Sequence, residues 1–211
     1  MEKGKLIVFE GGEGSGKTTI SNMVCDYLDK NNIEYVHSRE PGGTYFGNQI
    51  RNMLFNEVYS DNLDPFTELC LFEAARRQHY LQIIKPALDK GKVVILDRFI
   101  LSTLAIQNFA AGTNVINILN DLATDAVKID ATILLDISPE VALKRIDDNC
   151  RSTNKNDRKP IEWHKNIRSL LLVLGTSMRE KLNTHIIDAD RDEDTIFNEV
   201  IEIVKGVIKD E

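Results

Sequence analysis

Long apolar runs are what this sequence most plainly lacks. Nothing in its 211 residues approaches the ~20 consecutive apolar positions of a membrane-spanning helix, and the first apolar run, Leu6 to Phe9, is too short for a secretory leader. Positive charge is scarce as well. Lysine and arginine number 26 against 33 acids, a formal net charge of -7, which argues against a nonspecific binder of nucleic acid or of anionic membrane surfaces. Any anionic ligand must then be held by local groups. The cysteines, Cys25, Cys70 and Cys150, are few, far apart and in no C-x-x-C pair. That excludes a disulfide framework and a thiolate zinc site, and the expected setting is a reducing cytoplasm. His37, His79, His164 and His185 show no metal-ligand spacing and read as surface or locally hydrogen-bonded side chains. What remains is an ordinary globular composition, 42% hydrophobic and 28% charged, at a length that suits one domain.

Short β-rich runs alternate with longer helical patterns. The runs are Leu6–Phe9, Tyr35–Ser38, Val93–Leu96, Thr132–Ile137 and Thr184–Ile187, mostly apolar without alternation, as strands covered on both faces are. Ile20, Met23, Val24, Tyr27 and Leu28 recur on one face of a helix starting at Lys17 or Thr18. A second helix is expected from about Glu68 to Ile84, stopped by Pro86. Ser138 and Pro139 supply a cap and a first-turn proline to a third, and a last helix carries Ile196, Val200, Ile203, Val204 and Val207 inward. Strand and helix in alternation give a doubly wound α/β fold, a parallel sheet of about five strands flanked by helices. From Asp147 to Lys159 the only apolar residue is Cys150, so residues 147–160 are expected to form a short mobile lid on a single domain spanning 1–211.

The stretch from Gly11 to Thr19, G-G-E-G-S-G-K-T-T, fits G-x-x-x-x-G-K-[ST] as Gly11, Gly16, Lys17 and Thr18, with a buried strand before it and an amphipathic helix after. Its glycines let backbone N–H groups converge on phosphate oxygens and the helix start adds its positive dipole end. Lys17 reaches the β- and γ-phosphates, and the Thr18 hydroxyl can sit on Mg²⁺. Gly12, Glu13, Gly14, Ser15 and Thr19 belong to the same cradle. Val93–Asp97 ends an apolar strand in an acid, which places the Asp97 carboxylate near that metal, and Arg98 follows at the mouth of the site. The chain is too short for a motor ATPase. Dispersed arginines, Arg39, Arg51, Arg76, Arg98, Arg151 and Arg158, suit a kinase with two anionic ligands, ATP and a phosphorylated acceptor. A lid carrying Arg151 and Arg158 would close over the triphosphate and exclude water. No catalytic base stands out. A phosphate-monoester acceptor needs none, because its second pKa is about 6 and its oxygen is already ionised.

Phe9–Thr19, Arg39-Glu-Pro-Gly-Gly-Thr44, Leu71-Phe-Glu-Ala-Ala-Arg76 and Asp97-Arg-Phe99 followed by Ser102-Thr103 resemble the thymidylate kinase family, in order and across the whole chain. The resemblance implies a P-loop NTPase of the nucleoside-monophosphate-kinase fold, a homodimer that transfers the ATP γ-phosphate to dTMP with Mg²⁺. It gives Glu13 the acceptor's 3'-hydroxyl, Phe72 a stacking contact with thymine, and Arg76 a hydrogen bond to a base carbonyl. Thr103 and Gln107 fall near the base, and Arg39, Arg51 and Arg98 around the acceptor's phosphate. Pro41 matches a proline whose preceding bond is cis in some relatives. Gly14 stands where some members carry an arginine, so Arg151 or Arg158 is expected to supply that charge from the lid. The loop Asp188–Asp192 lies where this fold meets adenine, and Arg145 could stack on the same base.

The departures concern the acceptor. Ile106 replaces a tyrosine beside the sugar's 2'-carbon, Leu101 replaces a common aspartate, and Asn108–Ala111 replaces a run with glycines and an arginine. Two alternatives follow: a kinase for another pyrimidine monophosphate such as dUMP, or a nucleotide-binding protein without transfer activity. Intact Lys17, Thr18, Asp97 and Arg98 speak against the latter.

Overall fold

The computed structural model describes residues 3–56, 63–148 and 155–209. Its sheet is built from β1 (Leu6–Gly11), β2 (Tyr35–Arg39), β3 (Val93–Asp97), β4 (Ala131–Asp136) and β5 (Thr184–Asp188), all parallel, in the order β2-β3-β1-β4-β5. The helices are α1 (Lys17–Lys30), α2 (Tyr45–Phe55), α3 (Pro65–His79), α4 (Lys85–Asp89), α5 (Ile100–Ile106), α6 (Asn108–Thr124), α7 (Pro139–Asp148), α8 (Ile161–Ser177), α9 (Arg179–Leu182) and α10 (Glu193–Lys209).

Successive side chains of the central strands enter two different cores. Leu6 and Val8, Val94 and Leu96, and Leu134 pack with α5 and α8 on one side. Ile7 and Phe9, Val93 and Ile95, and Ile133 and Leu135 pack with α1 and α10 on the other. With both faces covered the strands need no hydropathic alternation, which is why they read as unbroken apolar runs. α1 buries Ile20, Val24 and Leu28 as its spacing requires. α10 buries Ile196, Val200, Ile201 and Val204, while Ile203 and Val207 are only partly covered.

The expected helix stop at Pro86 does not occur. α3 starts earlier than Glu68, with the Asp64 carboxylate accepting from the N–H groups of Phe66 and Thr67 at 3.0 and 3.1 Å. At its far end a π-helical turn, Tyr80–Ile84, leads straight into α4, which holds Pro86 in its first turn. The wider turn resets the hydrogen-bond ladder, so the missing proline N–H falls where a new helical segment begins and leaves no gap. Ser138 does precede α7, but its hydroxyl donates to Asp190 at 3.0 Å and ties the helix start to the loop after β5.

Within the expected lid segment, burial differs from what composition suggests. Cys150 and Arg151 lie outside the described residues, but Lys155 to Lys159 are described, and they are not all solvated. Asn156 and Asp157 are only 9% and 7% exposed. They are covered by a polar cleft rather than an apolar core, a kind of burial that composition cannot reveal. Cys25 is buried and Cys70 exposed, both as free thiols. Among the described residues no helix is long and apolar enough to cross a membrane.

Register positions the site. Phe9 of β1 and Arg39 of β2 both pair with Asp97 of β3, so the loop after β1, the end of β3 and the end of β2 emerge level at the carboxyl edge of the sheet, where open α/β sheets bind ligands.

Candidate active site

At that edge lies a cleft of about 530 Å³. β1 hands the chain at Gly11 to the glycine loop, and α1 begins at Lys17. Lys17, Thr18, Thr19 and Ile20 line the cleft, so the unpaired N–H groups of the first helical turn open onto it. The Lys17 ammonium donates to Gly12 O at 2.7 Å, Gly11 O at 3.0 Å and Ser15 Oγ at 3.3 Å. Burial first, and repulsion from Arg98 second, lower its pKa to about 8. An incoming polyphosphate would take the place of those neutral acceptors and favour the charged form.

Gly14 has φ +75°, and a Cβ added there would lie 2.5 Å from the Ala142 carbonyl oxygen. The glycine loop is therefore seated directly on α7. Gly14→Ala is expected to cost about 1–3 kcal/mol in urea unfolding and to raise the KM for the phosphoryl donor. An unchanged KM would show that the loop can step away from α7 without harm.

Asp97 Oδ2 accepts from Thr18 Oγ1 at 2.6 Å. Arg98 takes a left-handed conformation, φ 68°, which is uncommon for a side chain of this size, with its N–H bonded to Phe9 O at 2.9 Å. That turn brings the guanidinium back across the glycine loop. Nη1 donates to Gly11 O at 3.1 Å and Ser102 Oγ at 2.9 Å, and Nη2 pairs with Glu13 at 2.9 Å. Beneath it the fully buried Glu10 accepts from the N–H groups of Phe99 and Ser102 at 2.8 and 3.1 Å and from the Ser102 hydroxyl, which fixes the start of α5. Motif inspection passes over Glu10; its signal is an acid inside an otherwise apolar strand.

The far end of the cleft is lined by Arg39, Arg51, Phe72, Arg76, Thr103 and Gln107. Arg51 donates to Pro41 O at 3.0 Å and its guanidinium stands 5.0 Å from the Phe55 ring centre. Burial, and then repulsion from Arg39 and Arg98, lower the Arg51 pKa, so the three cations are close enough to oppose one another and to converge on an anion. The Glu40–Pro41 bond is cis.

Arg76 is only 2% exposed. Its Nε donates to Glu40 at 2.7 Å, Nη1 to Glu73 at 2.8 Å and to Asn120, and Nη2 to Thr103 at 2.9 Å. Glu40 also meets His79 Nδ1 at 3.0 Å, and His79 Nε2 lies 2.8 Å from Ser38 Oγ. Because a carboxylate only accepts, Nδ1 carries the ring proton. A Cβ on Gly43, φ +76°, would come within 2.4 Å of His79 Nε2, so the turn after Pro41 rests on the imidazole. Among the four histidines, His79 is the one the sequence undervalues. It is wholly buried and shares Glu40 with Arg76.

The structure thus brings Glu13 to Thr19, Arg39, Pro41, Arg51, Phe72, Arg76, Asp97, Arg98, Thr103, Gln107 and Arg145 to one cleft. Gly11 and Gly12 support it through their carbonyls. Arg158 is exposed and does not line the cleft. Arg145 donates to Arg191 O at 3.0 Å, holding the 188–192 loop at the rim. Of the departures only Ile106 lines the cleft; Leu101 is 1% exposed in the core, and Asn108–Ala111 lie off the lining. Glu40, Glu68, Glu73, Asn120 and Lys155 are site-region groups that motif reading did not single out.

A glycine loop, a strand-end acid beside its threonine, and an arginine-rich second pocket in the same cleft define a P-loop phosphotransferase of the nucleoside-monophosphate-kinase type. The family model described as thymidylate kinase matches residues 9–200. A thymidylate kinase of Clostridium novyi is 42% identical over 214 aligned residues, covering 99% of this chain and 100% of that protein. One from Ligilactobacillus salivarius is 35% identical, covering 97% and 99%. The crystal structure of thymidylate kinase from Ehrlichia chaffeensis superposes with a TM-score of 0.77 at 33% identity, covering 96% of this chain and 99% of that one. The chain belongs to the thymidylate kinase family.

Proposed function

We propose that this protein transfers the γ-phosphoryl group of ATP to dTMP, giving dTDP and ADP. The observation that carries it is the convergence of Arg39, Arg51 and Arg98 beside the glycine loop, in a cleft whose far end holds Phe72, Arg76, Thr103 and Gln107. The triphosphate lies along the loop with Lys17 on its β- and γ-phosphates, and Arg145 flanks the adenine. The arginines hold the acceptor phosphate, Phe72 stacks on the base, and Glu13 takes the sugar's 3'-hydroxyl. The acceptor oxygen is already ionised, so the protein's work is alignment and charge neutralisation, with Arg98 and Lys17 at the site of transfer. The hydroxyl of Thr18 and carboxylate of Asp97, 2.6 Å apart, form a hard oxygen pair that would suit Mg²⁺. Held there, the ion would supply positive charge to offset that of the phosphates. Arg158 or Arg151 would add charge from the lid.

The test is ADP release with ATP and Mg²⁺ on dTMP, dUMP, UMP, CMP and AMP under identical conditions. A clear preference for dTMP is expected. Preference for another pyrimidine nucleotide supports the second reading, which Ile106 at the cleft favours, and no release with any acceptor removes both. The same reading includes a cytoplasmic homodimer. Met53 of α2, Phe66 at the start of α3, Leu81 beyond its end, and Ile118 and Leu122 of α6 are exposed, α3 packing on both α2 and α6, so apolar surface is available here to a second copy. Light scattering at twice the chain mass checks it.

A further inference from the structure

Glu68 lines the acceptor end of the cleft from α3, and its carboxylate is forked. One oxygen accepts from Gln107 Nε2 at 3.1 Å, the other from Lys155 Nζ at 2.7 Å. The ion pair is well shielded, with side-chain exposures of 20% and 21%, and the Lys155 ammonium also stands 6.0 Å from the Phe55 ring centre. We infer that Glu68 is a positioning residue that fixes which end of the Gln107 amide meets the acceptor base, with Lys155 reaching in from the lid segment to hold the carboxylate in place. This selects a pyrimidine protonated at N3, and it rests on the dTMP reading above.

The argument is one of donors and acceptors. An ionised carboxylate only accepts, so the amino end of Gln107 must face Glu68 and the carbonyl end must face away. Gln107 is 5% exposed, and its backbone N–H is bonded to Thr103 O at 2.9 Å, so the side chain has little freedom beyond rotation of the amide. A carbonyl accepts from the N3–H of thymine or uracil and opposes the N3 lone pair of cytosine. A neutral amide in place of Glu68 can itself donate, and the Gln107 amide is then free to present either end. Sites that pair a buried polar group discriminate strongly because the wrong partner leaves that group unsatisfied.

The experiment uses the full-length enzyme and compares E68Q, K155M and the double variant. The ratio of the dCMP inhibition constant to the dTMP KM is the measure of base discrimination. E68Q is expected to lower that ratio by about tenfold or more, with the ATP KM unchanged. K155M lowers it by a smaller factor, and the double variant is no worse than E68Q, because both act through one carboxylate. Equal weakening of dTMP and dCMP, an unmoved ratio, or additive losses would each overturn the inference and leave Glu68–Lys155 as an ion pair between helix and lid. Should E68Q fold poorly, the K155M ratio decides alone, since that lysine is at the rim. If the unaltered enzyme does not phosphorylate dTMP, the underlying reading fails in the control arm, before any variant is compared.

Discussion

Lys17→Met removes phosphoryl transfer, by about 10³-fold or more in kcat, and leaves the protein folded and no less stable at neutral pH. The first half follows from position. Lys17 is the cation at the head of α1 among the glycine-loop carbonyls, and among the described residues no neighbouring lysine lines that part of the cleft. The second half follows from its pKa of about 8, below the ordinary 10.5, a shift caused first by burial and second by Arg98. A proton held less tightly by the folded chain than by the unfolded one makes the ammonium a net cost at neutral pH. Between about pH 8 and 10.5 the unfolded state binds more protons, so this group's contribution to stability rises with pH across that window. Methionine removes the cost, and with it that part of the pH dependence. Activity within tenfold of the unaltered enzyme would remove Lys17 from the transfer step. A fall of several degrees in Tm would mean that its bonds to Gly11, Gly12 and Ser15 outweigh its burial.

What the sequence discloses here is what is encoded locally. β1, the glycine loop and α1 are contiguous, so an apolar run, a glycine spacing and a helical face suffice to place Lys17 and Thr18. Asp97 is legible as the acid ending an apolar strand. That it meets Thr18 depends on the pairing of β1 with β3, which nothing local encodes. Arg76 shows the limit most clearly. Taken alone it suggests a solvated arginine one turn after Phe72, because its partners Glu40, Thr103 and Asn120 come from other elements. Pro86 misleads for a different reason. A proline argues against continuing one hydrogen-bond ladder, and a π-helical turn starts another. The lid misleads because hydrophobicity forecasts burial in a core, whereas Asn156 and Asp157 are covered by the polar groups of the cleft.

Arg76→Met is expected to destabilise the protein by about 3–5 kcal/mol in urea unfolding and to raise the KM for dTMP. The guanidinium neutralises two buried carboxylates, Glu40 and Glu73. Around it Glu73 Oε2 and Asn120 Nδ2 already lack a hydrogen-bond partner among the described residues, so there is little spare pairing to take up the loss. The two acids respond differently. Burial raises Glu73, and Arg76 does not fully offset it. Burial also acts to raise Glu40, but Arg76 and His79 outweigh it and hold it below the ordinary 4.5. Glu40 is therefore the charge that stays when Arg76 is gone, and E40Q added to Arg76→Met should recover at least about 1 kcal/mol by removing an unpaired buried charge. The pH dependence has the same origin. With its folded pKa depressed, Glu40 contributes stability above 4.5 that is lost as pH falls through its lowered value. The variant keeps only the His79 part of that contribution, so the gap between the two proteins narrows as pH falls below 4.5. A loss under about 1 kcal/mol, or a gap constant with pH, would mean that water reaches the carboxylates, and that the acceptor pocket is not organised around a buried arginine.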